Sequence, residues 1–495
     1  MTPIRVAVIL DARQAPGPGE RRLLCMLRDD PRFELAGVAA AEGPAGGVPG
    51  PVALAMRIEA RGFPAPDLAP RPEVAPGGLA VIAASGARVA VDFSGAAEVL
   101  DKAPPEGVWR LSSFAPGAGT GAARDGAAVT QVALLRHRAG AAPEVLATAA
   151  YERKFLASRN GAFIREKSVQ MVEQALARLA LGRPFDPAPP FVPERAMSTG
   201  DLPGYARRTG AELIRRSGAE LGKRLGHRAN RFVLRVGHGG PDAFDPSTSA
   251  VILPPKGQFW ADPFLFEEAG TTWLFYEGFD DSEGRGHLAV GRLEGDSLVP
   301  VGRVMDAAHH LSFPFVFRWG DEILMIPETH QSRRVEVWRA TAFPLGWERV
   351  ATGLEGLAAV DTVVFERNGQ WWLLTNICRD SFGDFCAELH AYMIDSPMLD
   401  ELRPHPLNPV VIDTRTARGA GRVLEAGGRL IRASQNNSHG VYGYGLNLME
   451  IEALGPTEYR ERVLRQITPE TLPGIAGCHH IDFGGGRFVI DVREG

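Results

Sequence analysis

One pattern returns five times in the C-terminal half of this 495-residue chain. Each copy contains a short apolar strand, a tight turn and a second apolar strand, and the copies begin 51, 48, 59 and 59 residues apart. The first strands of the copies are Asp262–Phe266, Phe313–Phe317, Asp361–Phe365, Ala420–Leu424 and His479–Phe483. Strand-rich repeats of this period are typical of propeller blades rather than of helical solenoids. The repeat therefore predicts an all-β, five-bladed β-propeller over residues 230–495.

The fifth copy reaches Gly495 after only two strands, although an unpaired sheet edge favours aggregation and would leave the ring open. Two apolar runs, Arg231–Gly237 and Ala250–Leu253, precede the first copy. We expect these runs to supply the missing strands, so that the chain closes its own ring.

The first 185 residues follow another pattern. Buried-type strands at Ile4–Leu10 and Phe33–Ala39 flank a helix at Glu20–Arg28, and a long amphipathic helix is expected at Arg165–Leu181. This alternation predicts an α/β domain with a parallel sheet over residues 1–185. The Pro-, Gly- and Ala-rich stretch Gly43–Pro76 is predicted to be a surface loop.

Residues 186–229 connect the two predicted domains. A proline-rich linker, Pro187–Pro193, precedes a segment over 203–228 that carries seven Arg or Lys against two Glu and has apolar residues partly on one helical face. A basic amphipathic helix of this kind binds anionic membrane surfaces, whereas the more frequent role is a bridging helix with a solvated basic face. The sequence leaves peripheral membrane contact open as the minority alternative.

Composition excludes some classes of function. The net charge of −5 predicts no broad affinity for nucleic acid. The four cysteines show neither metal-ligand spacing nor a disulfide framework, and the N-terminus lacks the pattern of a signal peptide. We expect a cytoplasmic protein without a cofactor or metal. The adjacent pair His479 and His480 does not change this, because neighbouring strand residues point to opposite faces and at most one of the pair is expected to face a channel.

Equivalent repeat positions of a propeller converge on one central channel, because the innermost strands of all blades line it. Two columns of residues follow from the register. The first contains Asp262, Phe313, Asp361, Ala420 and His479, and the second contains Glu277, Glu328, Asn376, Gln435 and Asp491. Two closely placed acids would have different pKa values, so that one is protonated and the other ionised at neutral pH. Glycoside hydrolysis uses this arrangement. The alternative is that each acid accepts backbone amides of the next blade and holds the ring together.

Amide, aromatic and cationic side chains near the channel are suited to sugar hydroxyls and phosphates. The candidate substrate-binding residues are Trp260, Glu277, His310, His330, Asn376, Arg418, Gln435, Tyr442 and His479. Aromatic stacking on a sugar is the functional role considered for Trp260, and core packing is its more frequent role.

Three motifs carry a resemblance: Phe259–Phe264, Ser312–Phe317 with Met325–Glu328, and Gln435 followed by Tyr442. They resemble the propeller domain of glucosamine inositolphosphorylceramide transferases and their bacterial relatives, which is similar to the propellers of arabinanase- and fructosidase-type glycosidases. The resemblance implies Asp262 as base or nucleophile. Glu328 as acid and Asp361 as modulator depart from the glycosidase positions. Phe313 stands where the second blade would offer an Asp, so Asp361 comes one blade late, and Glu328 lies on a second strand rather than at the family's usual acid position. For the plant transferases the resemblance also implies that sugar transfer belongs to a separate domain.

A weaker resemblance covers most of the N-terminal domain. The order and spacing of Val91–Gly95, Gly107–Leu111 and Tyr151–Ser168 resemble formyltransferase-like domains. That family's chemistry needs Asn, His and Asp, but the strand expected to carry Asn-x-His reads Arg110-Leu-Ser112, and Ala139–Ala141 replaces the Asp-Thr-Gly turn. The domain is therefore interpreted as a degenerate scaffold or a binder of another ligand.

Three hypotheses follow, and the sequence does not decide whether the protein is an enzyme. The favoured one is a carbohydrate-active, glycosidase-like or sugar-transferring propeller that acts on a glycan or glycoconjugate through Asp262, Glu328 and Asp361. The second is a non-catalytic glycan-binding propeller that assists surface-polysaccharide or glycolipid biosynthesis. The third is formyl or acyl transfer to an amino sugar by the N-terminal domain. The sugar, its linkage and the oligomeric state stay open.

Overall fold

The protein forms two compact units. A computed structural model describes residues 2–44, 47–73, 75–224 and 231–494. The first unit comprises Met1–Arg224 together with the short segments Arg379–Asp384 and Ser438–Gly440. The second unit comprises Leu225–Cys378, Phe385–Asn437 and Val441–Gly495.

The first unit is built on one six-stranded sheet with the order β2-β1-β3-β4-β5-β6. Its strands are β1 (Ile4–Asp11), β2 (Phe33–Ala41), β3 (Val89–Asp92), β4 (Val108–Leu111), β5 (Val129–His137) and β6 (Glu144–Glu152). The first four pair in parallel, whereas β5 and β6 pair antiparallel. The predicted α/β class is confirmed, and the sheet is mixed rather than wholly parallel.

Within the described ranges, α-helices accompany this sheet. They are α1 (Pro18–Asp29), α2 (Gly50–Gly62), α3 (Ala80–Ala84), α4 (Thr120–Asp125), α5 (Ala157–Ala180) and α6 (Leu202–Arg224). The predicted surface loop over Gly43–Pro76 is wrong for its middle part, where α2 forms. Pro51 lies in the first turn, where its missing N–H costs no helical hydrogen bond, and the following Leu, Met, Arg and Glu residues are good helix formers.

The predicted basic helix is present as α6, although its last predicted residues, 225–228, lie outside the described part of the chain. Its first turns belong to the first unit: the Tyr205 hydroxyl accepts a hydrogen bond from the Ala157 N–H (2.8 Å) and contacts Glu59 of α2. Ile214 and Leu221 farther along the helix are exposed. Contact of α6 with a membrane stays a prediction.

No helix in the described ranges combines the length and the apolar composition that crossing a membrane requires.

The second unit is a five-bladed β-propeller, as predicted. Blade 1 contains β9 (Gln258–Glu268), β10 (Thr271–Asp280), β11 (Arg285–Glu294) and β12 (Ser297–Met305). Blade 2 contains β13 (Ser312–Trp319), β14 (Glu322–Glu328), β15 (Val335–Ala342) and β16 (Gly346–Gly353). Blade 3 contains β17 (Ala359–Arg367), β18 (Gln370–Ile377), β19 (Glu388–Ile394), β20 (Leu402–Pro404) and β21 (Val411–Ile412). Blade 4 contains β22 (Gly419–Ala426), β23 (Arg429–Asn436), β24 (Gly445–Gly455) and β25 (Glu458–Ile467).

The fifth blade closes the ring with strands from both ends of the unit. Its order is β26-β27-β7-β8, in which β26 (Ile475–Gly484) and β27 (Arg487–Glu494) pair with β7 (Phe232–His238) and β8 (Ala250–Ile252). The predicted closure by the strands that precede blade 1 is therefore confirmed. It pairs β27, the last strand of the chain, with β7 at the point where the ring begins and ends.

A bulge recurs in the first strand of the blades and fixes the register of the two columns. Glu277 pairs with Ala261, and Asn376 pairs with Val360, in each case directly before the first-column residue. The ladder shifts register at this point in all five blades. Asp262, Phe313 and Asp361 share a left-handed backbone, with φ of 48°, 49° and 52°. A bulge re-aims the side chain that it carries, so the repeat fixes where the first column points.

Candidate functional site

Part of the two columns joins neighbouring blades. Asp491 Oδ2 accepts the Asp262 N–H (3.1 Å), and Asp262 Oδ2 accepts the Phe313 N–H (3.2 Å). Asn376 Oδ1 accepts the Gly419 N–H (2.8 Å), and its Nδ2 donates to two backbone carbonyls. These bonds satisfy buried backbone groups at the blade junctions. Asn376 and Asp491 therefore have a structural role that is visible in their contacts.

His479 lies between two carboxylates. Its Nε2 is 3.1 Å from Asp262 Oδ1, and its Nδ1 is 3.1 Å from Asp491 Oδ2. Burial lowers the pKa of His479, but the two carboxylates outweigh this effect and raise its pKa to about 10. Burial acts on Asp262 in the opposite sense, and its imidazolium neighbour brings the pKa of Asp262 down to about 2. Asp262 and His479 are therefore an ion pair at neutral pH.

His480 also reaches Asp262, with Nδ1 3.7 Å from Oδ1. Both adjacent histidines therefore lie near one Asp262 oxygen, because the bulge in β26 interrupts the alternation of side chains. That at most one of them faces the channel stays a prediction. The N–H groups of both His479 and His480 donate to Asp491 Oδ1 (3.0 and 2.9 Å). Burial lowers the pKa of His480, and its ring packs against those of Phe264 and Phe313. His480 is thus a neutral neighbour of the charged pair.

Glu277 is a second buried acid beside Asp262. It stands on β10 opposite Ala261 and is 5% exposed. Burial raises its pKa well above the usual range, and the negative charge of Asp262 raises it further. His310 Nε2 lies 3.3 Å from Glu277 Oε1, while His310 Nδ1 accepts the Gly286 N–H (2.9 Å). Because that bond occupies Nδ1 as an acceptor, neutral His310 carries its proton on Nε2, toward Glu277.

Gly286 makes room for this group. A Cβ atom at Gly286 would lie 2.6 Å from the Leu311 carbonyl oxygen and 2.7 Å from both Glu277 Oε1 and His310 Cε1. All three distances are shorter than real contacts of a Cβ atom, so a larger residue would displace these side chains and the adjacent backbone.

A third acid, Asp361, pairs with Arg418. The Arg418 Nε donates to Asp361 Oδ2 (2.8 Å), and its Nη2 lies 3.9 Å from Glu328 Oε2. Burial raises the pKa of Asp361, Arg418 opposes the rise, and the balance is a pKa of about 7. Glu328 Oε1 lies 2.9 Å from His330 Nδ1, and this contact raises the pKa of His330. Arg418 thus links two of the acids that the sequence singles out.

Aromatic and amide side chains border the acids. Tyr442 is 44% exposed, and its ring centroid is 4.9 Å from the Arg418 guanidinium carbon and 5.4 Å from the His479 ring. The Gln435 amide reaches the Tyr442 hydroxyl at 3.5 Å. Trp260, by contrast, is 6% exposed and packs on Tyr276 within a core cluster. An exposed aromatic face is therefore offered by Tyr442, and the environment of Trp260 is that of a core residue.

Asp262, His479 and Asp491 also have a geometry that a metal ion requires, because one ligand atom from each lies within 4.8 Å of the others. Their present bonds compete with an ion. Asp491 accepts three backbone N–H groups, and a histidine ligand must be neutral, whereas the two carboxylates favour the protonated imidazole. The contacts of this group fit a proton better than a metal ion.

The structure thus brings most of the candidate residues into one connected network. Asp262, Glu277 and His479 are linked by contacts or charge, and Asp361, Glu328 and Arg418 form an adjoining group. The residues that the sequence reasoning missed are His480 and Gly286. For His480 the sequence offers a signal, because two adjacent histidines stand in a strand that carries the repeated bulge. Gly286 is identified only by its packing.

Comparison with known proteins places the match in the propeller. Residues 247–472 match the family model described as glucosamine inositolphosphorylceramide transferase 1, N-terminal. The protein of that name from Oryza sativa subsp. japonica is 35% identical over 209 residues, which are 41% of this chain and 27% of the rice protein. The Arabidopsis thaliana protein is 32% identical over 207 residues, with the same coverage. The predicted resemblance of the C-terminal half is confirmed, and the match spans about a quarter of the length of these relatives.

Solved structures were compared as well. A family 117 glycoside hydrolase from Zobellia galactanivorans aligns with a TM-score of 0.35 at 9% identity, covering 54% of this chain and 90% of that chain. A GH43_1 enzyme from Xanthomonas citri, complexed with xylose, aligns with a TM-score of 0.33 at 13% identity, covering 47% and 86%. The propeller assignment itself rests on the sheet topology. The formyltransferase-like resemblance of the N-terminal domain stays a prediction.

Proposed function

We propose that the network around Asp262 is a carbohydrate-active site, which cleaves or transfers a glycosyl group of a glycan or glycoconjugate. The observation that carries this proposal is the opposite titration of two neighbouring acids. Asp262 has a pKa of about 2, while the pKa of Glu277, on the adjacent strand of the same blade, is raised well above its usual range. One carboxylate and one carboxylic acid side by side at neutral pH are the groups that glycosidic bond cleavage requires.

In this proposal Asp262 is the base or nucleophile and Glu277 is the acid that protonates the leaving oxygen. Glu277 is preferred over Glu328 for that role because Glu328 already contacts His330 (2.9 Å) and Arg418 (3.9 Å). Asp361, with a pKa of about 7 and a bond to Arg418, adjusts the charge of the site. Tyr442 offers the aromatic face on which a sugar ring stacks.

The substrate class is suggested by the name of the matched relatives, glucosamine inositolphosphorylceramide transferase 1, which this chain matches over 27% of their length. We infer an amino sugar or hexose on a glycolipid or surface polysaccharide. The test is a panel of nitrophenyl glycosides, glucosaminides included, assayed with the full chain. We expect turnover of at least one compound. Because general acid catalysis contributes about 10²–10⁴-fold, Asp262→Asn and Glu277→Gln should each lower kcat/KM by that order.

A second candidate is supported by a specific observation, the backbone bonds of the acids. Asp262 accepts an N–H of the next blade, and Asp491 accepts three, so these carboxylates also hold the ring together. If that is their whole role, the propeller binds a glycan and positions it for a partner in glycolipid or polysaccharide assembly. A glycan array distinguishes the two candidates. If the array shows glycan binding, and neither the wild type nor Asp262→Asn turns over any glycoside, the binding protein is favoured and the enzyme is contradicted.

A further inference from the structure

The first unit contains a cavity that the propeller chemistry does not use. Its volume is about 650 Å³, which is within the range of sites that enclose a small organic ligand. Asp11, Asp92 and Leu111, the last residues of β1, β3 and β4, all border it. The cavity therefore lies at the carboxyl ends of the parallel strands, where open α/β sheets bind their ligands.

Most charged groups that border the cavity are already paired. Arg110 Nε donates to Asp92 Oδ2 (2.7 Å), and Asp92 Oδ1 also accepts the Ser94 N–H and hydroxyl. Arg13 donates to the carbonyl groups of Gly43 and Pro44. These contacts satisfy the groups without any ligand.

Arg165 of α5 differs from them. Its side chain is half-buried at the cavity, and its guanidinium carbon lies 5.7 Å from the centroid of the Phe114 ring. Among the residues within the described ranges, none accepts a hydrogen bond from it. The negative charges of Glu20 and Asp11 act on it, although neither accepts a hydrogen bond from it, and the Asp11 oxygens are engaged by the Arg13 N–H and by Gln14. A guanidinium has five donors and remains charged, so a partly buried one without an acceptor requires an anion or water.

Two further features of the cavity indicate the kind of ligand that it could hold. His137 also borders the cavity, and its buried Nε2 has no hydrogen-bond partner among the described residues. Phe93 and Phe114 form a ring pair with centroids 4.7 Å apart, and Leu111 and Leu135 add to this apolar wall. The wall suits a flat, apolar body, whereas Arg165 and His137 suit polar groups.

We propose that this cavity binds a small organic anion whose carboxylate or phosphate oxygens accept hydrogen bonds from Arg165 and whose ring lies against Phe93 and Phe114. Guanidinium groups bind both kinds of oxyanion in a bidentate manner, so the two sources share one chemistry. The inference is independent of the function proposed for the propeller.

The test is calorimetric titration of the full chain with four probes: benzoate, uridine 5′-monophosphate, uridine and inorganic phosphate. We expect benzoate or the nucleotide to bind with a Kd of about 1 mM or below, and the uncharged nucleoside to bind at least about tenfold more weakly than the nucleotide if the nucleotide is the better ligand. Preference for benzoate identifies a carboxylate source, and preference for the nucleotide identifies a phosphate source. Failure of both to bind overturns the proposal, as does binding of inorganic phosphate alone.

Variants assign the binding to the cavity. Arg165→Gln should weaken the bound anion by about tenfold or more, with partial recovery in Arg165→Lys. Arg57→Gln removes an exposed cation of α2 that does not border the cavity and should leave the affinity unchanged. Met56→Trp fills the cavity without altering any charge, and it should also abolish binding. Wild-type affinity in either Arg165→Gln or Met56→Trp, in protein with an intact circular dichroism spectrum, contradicts the proposal.

Discussion

His479 Nε2 lies 3.1 Å from Asp262 Oδ1, and this ion pair joins the last blade of the propeller to the first. The pair sets a pH dependence of stability. The pKa of His479 is about 10 in the folded protein against 6.5 ordinarily, so its contribution is fully present below pH 6.5 and is lost as the pH rises through about 10. Asp262, with a pKa of about 2 against 3.8, contributes above pH 3.8 and loses its contribution as the pH falls through about 2.

We therefore expect the free energy of unfolding to fall between pH 6.5 and 10, by about 1.4 kcal/mol per pH unit from His479 alone. Asp262→Asn should end this decline at a lower pH, because His479 then keeps only Asp491 as a charged partner and its folded pKa is raised less. Denaturant unfolding of both proteins across this pH range is the measurement. A decline that extends to the same pH in wild type and variant would show that Asp262 does not hold the histidine charge.

Glu277 changes stability in the same direction as His479 and opposite to Asp262. Its folded pKa lies above the ordinary 4.5, so the folded protein holds a proton that the unfolded chain releases, and stability declines as the pH rises above 4.5. Glu277→Gln is neutral at every pH and should therefore be more stable than the wild type at pH 8, with a smaller difference at pH 4.5. The same variant should lose turnover if Glu277 is the acid. A less stable variant at pH 8 would contradict the raised pKa.

Arg418 is expected to control the protonation of Asp361. Removing the guanidinium in Arg418→Met takes away the effect that lowers the pKa of Asp361, so this pKa should rise above about 7. Carboxyl carbon NMR titration of Asp361 measures the shift. Arg415→Gln is the control, because Arg415 pairs with Asp413 and donates no bond to Asp361. If Arg418→Met leaves the titration of Asp361 unchanged, Arg418 does not control the protonation of Asp361.

The closeness of Gly286 to Glu277 predicts a loss of function without any change of charge. In Gly286→Ala the new methyl group meets the Leu311 carbonyl, the Glu277 carboxylate and the His310 ring, so these groups must move. A misplacement of about 1 Å in a catalytic group costs about 10²-fold in rate, and we expect kcat/KM to fall by that order. Gly455→Ala is the matched control, since a Cβ there meets no atom within 4 Å. Equal activity of the two variants would show that the position of Glu277 does not matter for the reaction.

The sequence predicts the fold of the propeller but not the partners of its buried acids. The propeller and its closure follow from the repeat, because the spacing of Asp262, Phe313 and Asp361 records one bulge per blade. The partner of each acid does not follow, because Asp262 with His479 and Asp361 with Arg418 are contacts between blades. Sequence periodicity describes a strand, but these pairings depend on how separate strands are placed around the ring.

Bulges and helix propensity explain two features that the sequence patterns do not predict. His479 and His480 break the alternation of strand side chains because an extra residue is inserted between two ladder pairs. In the N-terminal domain, helix α2 forms in a stretch whose Pro and Gly content suggests a loop, since its helix-forming residues lie between those breakers. The cavity at Arg165 has no sequence signal, because the residues that border it come from separate strands and helices.

Asp482 is the last residue for which we expect a specific effect. Its carboxylate is fully buried and joins three blades: it accepts the Leu265 N–H (2.8 Å) of blade 1 and bonds from Arg422 of blade 4 (2.5 and 2.8 Å), while lying on β26 of blade 5. Removing one partner of a buried ion pair leaves the other charge uncompensated. Asp482→Ala should therefore lower the free energy of unfolding by about 3–5 kcal/mol.

The control for Asp482 is a second pair that involves blade 5. Asp296 lies 3.2 Å from Arg487 and is 49% exposed, and surface pairs of this kind contribute about 1 kcal/mol or less. Asp296→Ala should consequently change the unfolding midpoint in urea only slightly, whereas Asp482→Ala shifts it strongly. Equal midpoints for the two variants would mean that ring closure depends on the β27–β7 strand pairing rather than on this buried carboxylate.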